Sequence, residues 1–345
     1  MTIEKKCCII EEKICKVLPV RRDKVLYGNM GVRKALGKMA KGERLAQCIL
    51  FYGEKGTGKK TLSKWYAGML LCENATAPCG ECKNCKTIQN NVHPDVIWVP
   101  HSGKLGGFSV ETVRNICADA VVAPNSGKRK IYIFDDCDKM DLRAQNILLK
   151  VIEEPPAFAY FIFTAASRQA LLPTVLSRLM PFGISACTEE EALEALTVMG
   201  YPHEDAQEAV ECFHGNIGQC IEYIENEKCR ELVTLTKSAV RCIIEKREYD
   251  LLREFYNAGS DRVLTLALIG MLEKVFRDAL VHRLDEDAAY IGCDAEGARM
   301  LSGRLSASRG QQFHECIKKA YDAINANVNL QLTLTALCAE LMAGR

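Results

Sequence analysis

The chain has 345 residues, enough for two or three domains, and its 48% hydrophobic and 26% charged residues are ordinary for a globular protein. A net charge of +1 excludes a global basic field for nucleic acid, so any DNA contact would be local or shared with partner chains. No apolar run approaches a membrane span and the amino terminus has no signal-peptide core, which predicts a cytoplasmic protein whose 18 cysteines are free thiols and metal ligands.

Residues 1–47 are predicted to form one or more helical segments. An apolar stripe at helical spacing marks the last of them: Val32, Leu36, Met39 and Ala40. Three cysteines in this region are expected to act as small apolar fillers: Cys7, Cys8 and Cys15.

The most informative stretch is a short apolar strand, Cys48 to Tyr52, followed by a glycine-rich turn and a helix. This is the context of a P-loop, in which glycines let backbone N–H groups converge on a phosphate and a lysine adds positive charge. The residues predicted to bind nucleotide are Gly53, Gly56, Gly58, Lys59 and Thr61. One position departs from the pattern. The Ser or Thr that should hold Mg²⁺ is Lys60, and Thr61 comes one place too late.

Four cysteines follow the P-loop helix: Cys72, Cys79, Cys82 and Cys85. Three of them have CxxCxxC spacing, a pattern expected by chance only about 0.05 times in a chain this rich in cysteine. Four thiolates form a closed tetrahedral shell, which predicts a structural zinc site in an insert at 72–85. A redox CxxC is the alternative, but it lacks the usual position after a first strand and before a helix.

A second strand is predicted at 96–99, and a helix begins near Val110 with Ser109 as its cap. The strand is entered through His93. Because four cysteines already fill a metal shell, His93 is expected to make a local hydrogen bond.

A buried strand at 131–134 runs into Asp135 and Asp136. In a P-loop site the first carboxylate holds Mg²⁺, directly or through water, and the second orients the attacking water. Asp135 has a plainer alternative, a structural carboxylate at a strand end. Further strands are predicted at 160–164 and 182–184. Strands alternating with helices predict an α/β fold with a doubly wound parallel sheet.

From Thr188 onward helical stripes replace the strand signals. The chain is therefore divided into a nucleotide-binding-like domain at 1–185, a small helical lid at 186–227 with a Gly-rich break near Gly215, and an all-helical domain at 228–345. Two apolar helix faces support the assignment of an all-helical domain at 228–345: Leu264, Leu266, Leu268, Ile269, Leu272 and Phe276 on one helix, and Phe313, Ile317, Ala320, Tyr321 and Ile324 on another.

Together these motifs resemble the bacterial DNA polymerase III clamp-loader subunits, a branch of the AAA+ family. The resemblance covers most of the chain. Its most specific parts are the cysteine insert and the helix at 144–156, which reads A-Q-N-I-L-L-K-V-I-E-E-P-P. The run at 176–178 (L-S-R) and the late run at 325–332 also fit. The resemblance implies an AAA+ domain with a zinc insert, a helical lid and an all-α collar.

Within that family, the departures favour the delta prime branch over the gamma/tau ATPase. Asp136 replaces the catalytic Glu, the sensor residue expected near Thr164 lies in an altered context, and Gly218 stands where a second sensor arginine belongs. Arg178, which in the family reaches the nucleotide of the neighbouring subunit, is retained, although Leu179 replaces the usual Cys. The length also fits, because tau carries further domains.

The resemblance implies a stator in a hetero-pentamer with gamma/tau and delta subunits, which helps load the sliding clamp onto primer–template DNA. Arg178, next to Ser177, would act in trans as an arginine finger; the plainer reading is an ion-paired arginine at a helix end. The chain would belong to the DNA polymerase III holoenzyme but would have no polymerase chemistry of its own. A vestigial P-loop that holds phosphate without hydrolysis is favoured over a P-loop that binds ATP with Mg²⁺ and hydrolyses it. A gamma/tau-type motor and a P-loop NTPase unrelated to replication stay open.

Overall fold

A computed structural model of the protein describes residues 26–41, 46–103, 107–258 and 261–343. The chain divides into two compact units, one extending to Gly200 and one beginning at Tyr201. The three-domain division with bounds at 185 and 227 stays a prediction. The helical segments expected before residue 26, with their three cysteines, lie outside the described residues.

The first unit contains a sheet of five parallel strands in the order β2-β3-β4-β1-β5. The strands are β1 (Cys48–Tyr52), β2 (Val96–Trp98), β3 (Lys130–Phe134), β4 (Ala159–Ala165) and β5 (Met180–Gly183). Each predicted strand is present, with bounds that agree within two residues. Residues of β3 and β4 are buried throughout, as continuous apolar runs in parallel sheets are. The predicted α/β fold with a parallel sheet is confirmed.

Helices cover both faces of this sheet. The helices of the first unit are α1 (Met30–Lys41), α2 (Lys59–Leu71), α3 (Lys83–Gln89), α4 (Val110–Asp119), α5 (Leu142–Glu153), α6 (Pro173–Leu176) and α7 (Glu189–Val198). Side chains of β1 alternate between the two cores: Leu50 joins the core under α4 and α5, whereas Ile49 and Phe51 join the core under α1 and α2. Stacked rings cross from β3 to β4, with Phe134 and Phe163 centroids 5.0 Å apart.

Local signals set the helix bounds in this unit. Ser109 caps α4 as predicted, because its side chain accepts a hydrogen bond from the Thr112 N–H. Asp141 does the same for α5 by accepting from the Arg143 N–H, and α5 ends at Glu153, just before the two prolines at 155–156.

The secondary-structure elements described in the second unit are all helices, as predicted. Its helices are α8 (His203–Phe213), α9 (Ile217–Glu225), α10 (Glu227–Glu245), α11 (Glu248–Ala258), α12 (Arg262–His282), α13 (Ala295–Ser302), α14 (Ala307–Asn325) and α15 (Leu330–Met342). Both predicted apolar faces pack in one core. Tyr321 is a correction: it lies at the margin of its stripe and is 45% exposed. None of the helices in the described part of the chain is both long and apolar enough to cross a bilayer.

Candidate functional site

The P-loop joins the end of β1 to the start of α2. Gly53, Gly56 and Gly58 have φ angles of 152°, 93° and 88°, which side chains other than glycine rarely adopt. A Cβ atom on Gly53 would collide with the carbonyl oxygen of Ile184, so the loop also needs glycine for close packing. Gly58 gives α2 no side-chain cap, which leaves the first-turn N–H groups of α2 to other partners. The loop therefore keeps a conformation suited to an anion.

The predicted phosphate-binding lysine points back into its own loop. Lys59 Nζ donates hydrogen bonds to the carbonyl oxygens of Gly53 and Glu54, the latter at 2.8 Å. Burial lowers the pKa of Lys59, and the carboxylates of Asp138 and Asp135 oppose that shift in part. These carbonyl groups therefore occupy the ammonium that the sequence predicts to bind phosphate.

Lys60 forms an ion pair with the carboxylate predicted to hold Mg²⁺. Its Nζ lies 2.6 Å from Asp135 Oδ2, and Asp135 Oδ1 accepts a hydrogen bond from Thr164 Oγ1 at 2.7 Å. Both oxygens of Asp135 are therefore engaged by groups of the chain itself. An ammonium replaces the hydroxyl ligand of the metal, and its charge beside the carboxylate repels a second cation. These residues do not fit Mg²⁺. The Lys60–Asp135 pair was not foreseen, although Lys60 itself stood out in the sequence.

The other acidic residues after β3 tie this strand end to β4. Asp136 adopts a left-handed conformation, with φ at 56°, and its N–H donates to Thr164 Oγ1 at 2.9 Å. Asp138 accepts from the Ala166 N–H at 2.8 and 2.9 Å. Burial raises the pKa of Asp138; the Ala166 N–H opposes this and a hydrogen bond with Asp136 adds to it. Thr164 thus lies where a sensor residue was expected and contacts both Asp135 and Asp136.

Thr61 lies in different surroundings from the other predicted nucleotide-binding residues. It lines a cavity of about 460 Å³, together with Arg33, Trp65 and Cys79. Successive helical residues are turned by about 100°, so Lys60 and Thr61 cannot face the same way. The structure brings Lys60, and not Thr61, to Asp135.

The four cysteines of the insert form one cluster. The Sγ atoms of Cys72, Cys79, Cys82 and Cys85 all lie within 4.8 Å of one another. The Cys79–Cys85 and Cys72–Cys82 sulfur separations are 4.0 and 3.9 Å, close to the ~3.8 Å edge of a tetrahedron with metal–sulfur bonds of about 2.3 Å. Backbone N–H groups of Cys82 and Glu81 lower the pKa of Cys79 to about 6, which favours a thiolate. These residues fit a metal ion.

Two helix ends place the cluster. Cys72 is the C-terminal cap of α2, and Cys82 is the N-terminal cap of α3. The sulfur atoms accept backbone hydrogen bonds, from Cys82 N–H to Cys79 at 3.3 Å and from Cys85 N–H to Cys82 at 3.4 Å. Such bonds are the usual outer support of thiolate ligands.

His93 makes the local hydrogen bond that was predicted: its Nδ1 accepts from the Asp95 N–H at 3.1 Å. The role of Asp95 was not foreseen. Its buried carboxylate accepts from the N–H groups of Asn125 and Ser126 and from the Ser126 hydroxyl, the last two at 2.8 Å. Across the described residues, only the four cysteines form a group of the metal-binding kind.

Arg178 follows α6 and is ion-paired within its own chain. One terminal nitrogen lies 3.0 Å from Glu153 Oε1, and the other donates to the Thr174 carbonyl at 2.9 Å and more weakly to Ser177 Oγ at 3.4 Å. Ser177 Oγ itself donates to the Thr174 carbonyl. This is the plainer alternative given for Arg178, an ion-paired arginine at a helix end. Glu153 is 56% exposed, so the ion pair lies where another chain could reach it.

Gln145 fixes the segment that carries Arg178. Its buried side chain accepts from the Leu172 N–H at 2.7 Å and donates to the Met140 carbonyl at 3.1 Å. The residue before α6 is therefore hydrogen-bonded to α5. Helix α5 in turn follows the acidic residues that come after β3. The residues of the Q-N-x-L-L-K motif were noted in the sequence without this role.

Parts of the chain are similar in sequence to known subunits of DNA polymerase III. Residues 28–188 match the family described as DNA polymerase III, delta subunit. The chain is 31% identical over 186 residues to the tau/gamma subunit of Haemophilus influenzae DNA polymerase III, covering 52% of this chain and 27% of that protein. It is 25% identical over 321 residues to the tau subunit of Salmonella typhimurium, covering 92% and 45%. It is 33% identical over 135 residues to the delta' subunit of Pseudomonas aeruginosa, covering 39% and 41%. The chain spans less than half the length of each of these relatives.

Proposed function

We propose, from the match of residues 28–188 to the family described as DNA polymerase III, delta subunit, that this chain is a clamp-loader subunit of the AAA+ class and a delta prime-type stator. It would assemble with gamma/tau and delta subunits into a hetero-pentamer through its second, helical unit. The complex would place the sliding clamp on primer–template DNA, and this chain would supply Arg178 to the ATP of a neighbour. The relatives include both delta' and tau subunits, so the choice depends on the site.

The observation that carries this proposal is the ammonium of Lys60 on Asp135. Hydrolysis in P-loop proteins needs Mg²⁺ held by a hydroxyl and a strand-end carboxylate. Here the hydroxyl is replaced by a lysine whose Nζ lies 2.6 Å from that carboxylate. Asp136, one methylene shorter than the usual glutamate, is also fixed at its N–H by Thr164. Both features favour a subunit that does not turn over its own nucleotide.

Arg178 supports the second half of the proposal. Its partner Glu153 is more than half exposed, and an exposed ion pair contributes at most about 1 kcal/mol. A neighbouring phosphate could therefore replace Glu153 at little cost. The phosphoryl charge on that neighbour would then be stabilised by a guanidinium, which in other systems accelerates transfer by about 10³–10⁵.

We also propose that the metal of the cysteine cluster is structural Zn²⁺. Four sulfur ligands close the coordination shell and leave no position for substrate. The cluster links the ends of α2 and α3, so its ion would hold these helices together.

A gamma/tau-type motor is the second candidate. The left-handed glycines of the P-loop and the retained Lys59 favour it, because they keep the anion-binding geometry of an active loop. A motor should hydrolyse ATP on its own, and a stator should not.

Reconstitution with the partner ATPase, delta, the clamp and primed DNA separates the two. Arg178→Ala should abolish the phosphate release that depends on this interface, a loss of up to about 10³-fold there, whereas Lys59→Ala should change little. Arg143→Ala, on the exposed side of α5, is the matched control. Equal rates for Arg178→Ala and Arg143→Ala would refute the stator. ATP hydrolysis by the isolated chain that Lys59→Ala removes would identify a motor.

A further inference from the structure

We infer that the P-loop of this chain binds a nucleoside diphosphate or triphosphate without a divalent cation, because the ammonium of Lys60 takes the place of Mg²⁺. This inference rests on the proposed function, in which the loop holds nucleotide without turnover. It goes further by naming the ionic form of the ligand: the free polyanion rather than its magnesium complex.

The first step concerns the position of the charge. In a P-loop site Mg²⁺ lies between the strand-end carboxylate and the phosphate oxygens. Lys60 already provides a cation at that carboxylate, 2.6 Å from Asp135 Oδ2. An ammonium has three donors, so one can stay on Asp135 while two remain for phosphate oxygens. The Lys60 side chain is 69% exposed and therefore accessible to a ligand.

The second step concerns the carboxylate. Asp135 is nearly buried, and Thr164 Oγ1 fixes its other oxygen at 2.7 Å. Thr164 in turn accepts the Asp136 N–H, which sets the direction of its hydroxyl proton. Mg²⁺ demands a near-octahedral oxygen shell and would have to displace Lys60 from this fixed carboxylate. Displacement would leave the ammonium beside a doubly charged ion, so the existing pair excludes the metal.

The third step concerns the total charge. Lys59 and Lys60 are adjacent, and Lys59 is held by the carbonyl groups of Gly53 and Glu54 until a better acceptor arrives. The two ammonium groups supply two positive charges at the start of α2, whose N–H groups add a favourable dipole. Asp135 offsets the charge of Lys60, so these groups neutralise only part of the charge of a nucleotide polyphosphate, and the ammonium of Lys60 would lie where Mg²⁺ lies in other P-loop sites.

Binding of a fluorescent ADP to the full chain tests this, first with excess EDTA and then with excess Mg²⁺. The Kd of the wild-type chain should agree between the two within about twofold. Lys60→Thr restores the ordinary hydroxyl; its Kd in EDTA should rise about tenfold, because a charge-assisted bond is lost, and Mg²⁺ should recover it. Lys60→Arg keeps the charge and should stay independent of metal. Lys38→Thr, on the exposed side of α1, is the matched control and should bind as the wild type does.

Two results would overturn the inference: wild-type binding that requires Mg²⁺, and no ADP binding in either buffer. Circular dichroism of each variant confirms that it is folded, and Lys60→Arg keeps the test decisive should Lys60→Thr be unstable. Failure here is distinct from failure of the proposed function. A stator that needs no nucleotide would still show the Arg178→Ala defect in the assembled complex, whereas a motor would release phosphate alone.

Discussion

Replacing Thr164 by valine should destabilise the first unit by about 2–4.5 kcal/mol, although the two side chains have nearly the same shape. The Thr164 hydroxyl is buried at the carboxyl end of β4 and makes two bonds. It donates to Asp135 Oδ1 at 2.7 Å and accepts from the Asp136 N–H at 2.9 Å. Valine can make neither.

The magnitude is the sum of these two losses. A hydrogen bond to a charged group contributes about 1.5–3 kcal/mol, and the partly buried bond from the Asp136 N–H contributes about 0.5–1.5 kcal/mol. No cavity term is added, because the methyl group of valine fills the volume of the hydroxyl. With a urea dependence of about 2 kcal/mol per molar, the middle of the usual range, the unfolding midpoint should fall by about 1–2 M.

Tryptophan fluorescence during urea unfolding is the assay. The chain has two tryptophans, Trp65 and Trp98, and both lie in the first unit, so the signal reports on that unit. Ser63→Ala is the matched control. Ser63 is also fully buried, but its hydroxyl only donates to the Lys59 carbonyl one turn earlier in α2. Losing that bond should cost less than about 1 kcal/mol. If Thr164→Val and Ser63→Ala had equal midpoints, the strand ends would not be held in the way described.

Two further variants probe the rest of the first unit. Cys82→Ala should lower the bound metal, measured by elemental analysis, to below one equivalent and should lower the midpoint of urea unfolding. Cys117→Ala, outside the cluster, should leave a full equivalent of metal. Equal metal content in the two variants would contradict the ligand assignment. Burial alone would raise the pKa of Asp95, but the N–H groups of Asn125 and Ser126 outweigh it and hold that pKa below 3.8. The contribution of Asp95 to the free energy of unfolding is therefore present above pH 3.8 and is lost as the pH falls further. Asp95→Asn should flatten this part of the curve of stability against pH. An unchanged slope would refute this role of Asp95.

The strands and the P-loop were predictable because their signals are local. A short, β-branched and aromatic apolar run such as the one ending at Phe134 favours a buried strand in an α/β pattern, and the glycines of the loop can be recognised without a partner. Helical spacing does not fix whether a residue at the margin of an apolar stripe is buried. This explains the wrong prediction for Tyr321. Its neighbours Phe313, Ile317 and Ile324 are buried one and two turns away, so helical periodicity alone placed it on the wrong side of the boundary.

The contacts that decide the chemistry join distant parts of the chain. Lys60 and Asp135 meet only because β1 and β3 end at the same edge of the sheet, and β4 lies between those strands. Thr164 reaches Asp135 across that same edge. Lys60 could be recognised as an unusual residue from its position in the motif. The motif already placed position 60 and Asp135 at one metal site, but the direct ion pair between them became visible only with the strand order.

Helix α2 joins two charged centres. Its 13 residues begin at the phosphate loop and end at Cys72, so a rod about 20 Å long separates the lysine pair from the sulfur cluster. Such a rod moves as one body, and each end has its own anchor. Leu70 and Leu71, next to Cys72, are buried in the core of the first unit, so apolar packing also holds the sulfur end. Removal of a metal from the cysteines would therefore release the insert at 72–85 before it shifted the helix or the lysine pair at its other end.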